Sequence, residues 1–222
     1  MVTVALISLA AQLPLTHSPI AAAPITILDF SAADAPHAAF FTRLAEQLPQ
    51  VLQVVRRREL PALINQLAGE AQRRVDGDEI AAPPHYLVIY GLHRARDLRQ
   101  EESFGFTAFS DQPVAPNPAQ QFTTILRDGP EVGMHTLVWC DTVTNLNRTL
   151  DRRALREFAM RVAFQMSGED SATLIDTPAA SKLGQHRALF YNEEDSRQEK
   201  FRPYGLPAAD WFGPAVAALS HR

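Results

Sequence analysis

Five consecutive residues, Tyr86-Leu87-Val88-Ile89-Tyr90, are strand formers without a charge or a polar break among them. A strand with one face in water alternates apolar and polar side chains, so an unbroken apolar run predicts burial on both faces. Pro83-Pro84 before the run and Gly91 after it set its length. Such a strand needs helices above and below its sheet, and a parallel sheet with crossover helices supplies them. With 222 residues, 46% hydrophobic and 21% charged, the chain is long enough and apolar enough to cover both faces in one domain.

The remaining text provides the partners. Ile25-Thr26-Ile27-Leu28-Asp29-Phe30 reads as a second buried strand, and residues 51–55 and 135–140 as two more. Phe40, Phe41, Leu44 and Leu48 fall on one helical face, and residues 59–75 predict a long helix with Leu60, Leu63, Ile64, Leu67 and Ala71 on one side. Between the first two strands, residues 31–37 read as a loop with Ser31 or Asp34 able to cap the next helix. Residues 120–127 predict a helix that stops near Gly129-Pro130. Residues 103–118, with Pro113, Pro116 and Pro118, read as an exposed loop. Farther on, the pattern predicts a helix over 150–160, a strand over 162–165 and short helices over 171–183. Residues 187–191 and 199–202 predict an antiparallel hairpin on one sheet edge, and 205–222 a C-terminal tail.

The N-terminus poses a choice. Residues 2–13 are apolar and Ala21-Ala22-Ala23 resembles a signal cleavage site, but no Lys or Arg precedes Arg43. Val2, Leu6, Leu9 and Leu13 recur at helical spacing, which favours a core helix. No apolar run is long enough to cross a bilayer as a helix. The net charge of −4 gives no global attraction to nucleic acid, so any such contact needs a local patch. Cys140 is the single cysteine, which excludes an internal disulfide and predicts a reducing, cytoplasmic setting.

The most specific text starts at Arg161: Arg161-Val162-Ala163-Phe164-Gln165-Met166-Ser167, then Glu169-Asp170-Ser171, Ala179-Ala180-Ser181-Lys182-Leu183-Gly184 and Arg187-Ala188-Leu189-Phe190-Tyr191. This order resembles the C-terminal part of the FtsK/SpoIIIE motor family, whose members move DNA or, in type VII secretion, drive protein export. Other blocks fit in sequence: Ile27-Leu28-Asp29-Phe30, Leu48-Pro49-Gln50-Val51, Glu70 with Arg73-Arg74, and Gly133-Met134-His135-Thr136-Leu137-Val138. The resemblance implies a three-layer RecA-like P-loop NTPase sheet over residues 1–222, mostly parallel, with the C-terminal antiparallel hairpin. It also implies ATP and magnesium in the full-length protein, sister motor domains or a hexameric homo-oligomer as partners, and DNA or a secreted protein as substrate. The expected location is cytoplasmic, including the cytosolic part of a membrane-anchored protein.

The departures from the family are as informative. A Gly-rich loop ending in Lys-Ser/Thr, which cradles phosphates with backbone amides, is absent from the sequence. The resemblance places it just before Met1, so the chain reads as the distal part of a larger multidomain protein. The family ends the strand at 86–90 in acids for Mg²⁺ and the attacking water, where this sequence has Tyr90 and Gly91. At the sensor strand stands Trp139-Cys140-Asp141-Thr142, and Asp141 is able to bind a phosphate-bound water while repelling the phosphate itself.

Each candidate residue has two readings. Tyr90 stacks on a base or partner side chain, or simply packs; Gly91 permits a tight turn. Asp29 and Asp141 are nucleotide-side candidates at the carboxyl edge of the sheet, and Asp29 serves equally as a local cap. Arg161 is a subunit-interface candidate or a partner in a structural ion pair with an acid such as Glu157 or Asp141. Arg56-Arg57-Arg58 and Arg94/Arg96/Arg99 suit DNA phosphates, or form a solvated face with Glu59 and Asp97. The seven histidines show no metal-ligand spacing and Cys140 has no partner thiolate, so no metal is expected.

The reading these residues support is a degenerate, non-hydrolytic ATPase-like domain with a scaffolding, regulatory or substrate-docking role. The alternatives are part of an active ATP-dependent DNA translocase whose phosphate loop lies upstream, and an independent α/β binding protein.

Overall fold

A computed structural model describes residues 1–13, 24–32, 34–35, 39–99, 117–205 and 207–220. The expected loop at 103–118 and the alanine-rich stretch at 21–23 lie largely or wholly outside these residues. In chain order the elements are α1 (Val2–Gln12), β1 (Ile25–Asp29), α2 (Phe40–Gln47), β2 (Leu52–Val55), α3 (Leu60–Asp76), β3 (His85–Tyr90), α4 (Pro118–Asp128) and β4 (Met134–Trp139). Then follow α5 (Val143–Leu146), α6 (Arg152–Arg156), β5 (Met160–Phe164), α7 (Gly168–Ile175), β6 (Ala188–Asn192), β7 (Arg197–Phe201) and α8 (Ala209–Ser220).

The first four strands form one sheet in the order β2-β1-β3-β4, with every pairing parallel. Ile25 and Ile27 of β1 and Val88 of β3 point to the side covered by α1, α2 and α8. Leu28 of β1 and Leu87 and Ile89 of β3 point to the side covered by α3 and α4. That double covering is why β1 and β3 read as continuous apolar text. Thr26, the polar exception, is fully buried and its hydroxyl accepts a hydrogen bond from Gln53 Nε2 on β2 at 2.9 Å.

The end of α3 is anchored by a buried arginine. Arg74 donates from Nε to Glu70 at 2.7 Å and from Nη1 to the carbonyls of Pro83 and Val132, each at 3.0 Å. These bonds tie the helix to the segments that lead into β3 and β4. The hydrogen bond from Arg73, with Arg74 beside it, holds the Glu70 carboxyl down at about 2.

Strands β5, β6 and β7 form a separate antiparallel sheet. The hairpin expected from the sequence is present, but it pairs with β5 rather than with an edge of the parallel sheet. The reason lies in β5 itself: Arg161 and Ala163 are buried while Met160 and Phe164 are exposed. This alternation belongs to a sheet with one covered face. Ile175, Ala180, Leu183, Leu189 and Tyr191 complete its small core. The helix expected over 150–160 shrinks to α6, because Asp151 caps it by accepting from the amides of Arg153 and Ala154, and Met160 already enters β5. The expected tail carries α8, whose Val216 is buried in the α1–α2 layer and whose Phe212 ring lies 5.3 Å from that of Phe40.

Candidate functional site

In a parallel α/β sheet the strands all end on the same edge, and ligands bind there. Here Asp29, Tyr90 and Trp139 stand in one register row, since Asp29 pairs with Tyr90 and Tyr90 with Trp139. The rings of Tyr90 and Trp139 are stacked, 4.6 Å apart and 13° from parallel. Phe41 of α2 meets Tyr90 edge-on at 5.2 Å. The end of β3 is therefore packed by aromatic side chains. Burial, with the Asp29 charge adding to it, raises the Tyr90 phenol further above its usual value.

Gly91 turns the chain directly after this stack. Its φ of +95° lies in the left-handed region, and a Cβ there would come within 3.1 Å of Phe30 Cβ. Its amide donates to Trp139 O at 3.1 Å, and the chain then forms a 3-10 turn over Leu92–Arg94. That turn carries His93 to the end of β4, where its ring lies 5.8 Å from Trp139. Arg94 reaches back to donate to Phe30 O at 3.1 Å, and Arg99 donates to His93 O at 3.0 Å.

The two candidate acids have different surroundings. Asp29 Oδ1 accepts from the amide and the hydroxyl of Ser31, at 2.8 and 2.6 Å, in a local turn. Asp141 Oδ1 accepts from Asn145 Nδ2 at 2.9 Å and lies 3.4 Å from His93 Nδ1. Although its partial burial works the other way, the Asn145 hydrogen bond and the nearby imidazole hold this carboxyl below its usual value. The neighbouring Cys140 thiol is raised by burial, while the backbone amides of Thr142, Asp141 and His93 pull in the opposite direction.

Cys140 Sγ stands 3.7 Å from Asp141 Oδ1, and the donor atoms of His93, Cys140 and Asp141 all lie within 4.8 Å of one another. Nothing local in the sequence announces this group, because its members follow two different strands. The one positional signal is that all three stand at or within three residues of the carboxyl ends of the strands read at 86–90 and 135–140.

The other candidates lie elsewhere. Arg161 is on β5, with its guanidinium donating to the carbonyls of Phe158, Leu174 and Leu155 and to Glu193. Its acidic partner is thus Glu193, rather than Glu157 or Asp141. It lines an open cleft of about 800 Å³ together with Asp151, Arg152, Arg156, Glu169 and Asp176. Arg56, Arg57 and Arg58 sit between β2 and α3 on the surface, where Glu59 accepts from the Arg56 amide and lies 3.7 Å from the Arg58 guanidinium.

No known family profile matches this sequence, and no curated protein does. Solved structures do match the fold. The chain superposes over its whole length on part of the cytoplasmic domain of the type VII secretion ATPase EccC from Thermomonospora curvata, with a TM-score of 0.63 and 18% identity. It covers 26% of that longer chain. It also matches B204, the DNA-packaging ATPase of Sulfolobus turreted icosahedral virus, at a TM-score of 0.51 and 15% identity, covering 82% of this chain and 84% of that one. The B204 of the second such virus, solved with ATP-gammaS, gives a TM-score of 0.51 at 13% identity over the same shares. The chain shares the fold of these ATPases, as the resemblance implied.

Proposed function

We propose that this chain is an ATPase-like domain that does not hydrolyse nucleotide and serves a motor assembly as a scaffold, regulator or docking surface. One observation carries the reading. The carboxyl end of β3, where a motor of this fold places acids for Mg²⁺ and water, is filled by the Tyr90–Trp139 stack with Phe41 against it.

The residues present do not fit a magnesium–nucleotide centre. Mg²⁺ requires hard oxygen ligands in near-octahedral geometry. Tyr90 contributes to an aromatic stack, Gly91 has no side chain, and the nearest strand-end acid, Asp29, is engaged with Ser31. An acid at position 91 would be strained by the positive φ and crowded by Phe30. Decay of this edge therefore involves backbone shape as well as side-chain chemistry.

Arg161 supports the same reading. With its guanidinium engaged by three carbonyls and Glu193, it acts as an internal brace rather than a charge offered to a neighbouring subunit. The arginines at 94 and 99 are likewise turned to backbone carbonyls, whereas Arg56, Arg57 and Arg58 are exposed side by side and suit a DNA contact better. Docking against sister domains is the role that an intact fold without a hydrolytic edge retains.

The test is ATP turnover by the protein with and without Tyr90→Ala. Unchanged turnover supports a non-hydrolytic role. Magnesium-dependent hydrolysis lost on Tyr90→Ala in a folded protein would overturn it. Salt-sensitive DNA affinity that falls when Arg56, Arg57 and Arg58 become Ser would instead favour a translocase.

A further inference from the structure

We propose that His93, Cys140 and Asp141 bind a borderline-soft divalent cation of the zinc class at the carboxyl edge of the parallel sheet. The site is independent of nucleotide chemistry, and its donor set differs in kind from the oxygen ligands that a magnesium centre needs.

Geometry is the first support. With zinc bond lengths of about 2.0–2.3 Å to N, O and S, the edges of a tetrahedron are roughly 3.3–3.6 Å. The His93 Nδ1–Asp141 Oδ1 separation is 3.4 Å and that of Cys140 Sγ and Asp141 Oδ1 is 3.7 Å. The third edge lies within 4.8 Å. Two of three edges are thus already near the spacing that a tetrahedral ion imposes.

The second support is an unanswered donor. His93 Nδ1 is buried and makes no hydrogen bond. Asp141 lies close enough for an ion pair, but the alignment fails the requirements of a hydrogen bond. A buried polar atom without a partner is costly and calls for an explanation. A cation between the ring and the carboxylate supplies one.

The surroundings orient the donors. Asn145 Nδ2 fixes the Asp141 carboxylate at 2.9 Å, an outer contact of the kind that positions metal ligands. Nitrogen and sulfur donors select zinc-like ions over magnesium or calcium. Three protein ligands leave a fourth position, which opens to solvent on the exposed Asp141 side. The ion would join the turn after β3 to the turn after β4, stapling the edge that the aromatic stack closes beneath it.

The single cysteine makes the experiment specific, because a cobalt–thiolate charge-transfer band has one possible source. The chain is titrated with Zn²⁺ by calorimetry and with Co²⁺ by absorption, in a thiol-free reductant. The expected result is one ion per chain at micromolar affinity, a charge-transfer band with tetrahedral visible bands, and a melting temperature raised by roughly 5–10 °C at a hundredfold excess over Kd. Cys140→Ser abolishes the band, and His93→Gln and Asp141→Asn each weaken Zn²⁺ binding by about tenfold or more. Melting curves without metal verify that each variant is folded; Asp141→Asn, at an exposed position, keeps the test open if a buried variant is not. Absence of the cobalt–thiolate band, or zinc affinity unchanged in Cys140→Ser and Asp141→Asn, overturns the site.

Discussion

The two sheets bury their strands in different ways. In the parallel sheet, β1 and β3 are covered on both sides, and Ile25, Ile27, Leu28 and Ile89 have no exposed surface. In the antiparallel sheet, β7 is exposed along most of its length and the core consists of a few side chains, of which Tyr191 is the one aromatic. Each sheet is nevertheless held by a buried arginine that donates to carbonyls: Arg74 braces the first and Arg161 the second. Doubly covered strands derive their stability from apolar area, whereas a sheet covered on one side leans more on polar bracing.

The sharpest test of this contrast is a truncation in each core. Ile27→Ala should cost about 4 kcal/mol by urea unfolding, and Leu189→Ala closer to about 2 kcal/mol, because the shallower site relaxes more readily. Equal losses would break the comparison.

A pH effect comes next. Burial, with Arg74 adding to it, pushes His85 from its ordinary 6.5 down to about 4. The unfolded chain therefore binds a proton that the folded chain refuses between those values. Stability is complete above pH 6.5 and falls by up to about 3 kcal/mol as pH drops toward 4. His85→Gln should flatten that part of the stability–pH curve, and an unchanged slope would assign it to other groups.

Arg161→Met should cost about 2–3 kcal/mol, since it strands three carbonyls and frees Glu193. Loss of hydrogen-exchange protection confined to β5 and β6 would sharpen the comparison; global loss would weaken it. A double-mutant cycle on Tyr90 and Trp139 should return a coupling of about 1 kcal/mol. The smallest effect is expected at Arg57→Ser, about 0.5 kcal/mol or less, because this arginine is exposed.

Much of the parallel sheet was legible in the sequence, because burial on both faces leaves an unbroken apolar run at 86–90 and one interrupted only by Thr26 at 25–28. The antiparallel sheet was less so. The strand at 162–165 and the hairpin were visible, yet nothing local states which strands pair. Only the alternation of exposed Met160, buried Arg161 and buried Ala163 marks β5 as one-sided, and an arginine at a core position obscures even that. That the run at 86–90 ends in Tyr90-Gly91 without an acid was evident as text, but the stack on Trp139 was not, because the pairing register between β3 and β4 brings the two rings together.

The order of residues by itself determined which segments become strands, where β3 ends, and that its end carries no carboxylate, since these depend on local propensity and side-chain type. Tertiary structure alone decided that Arg161 pairs with Glu193, that the chain divides into two sheets, and that His93, Cys140 and Asp141 converge. The convergence of His93 with Cys140 and Asp141 rests on the β3–β4 register and the left-handed turn at Gly91, and the Arg161 pairing on the β5–β6 register, each joining residues that the chain keeps far apart.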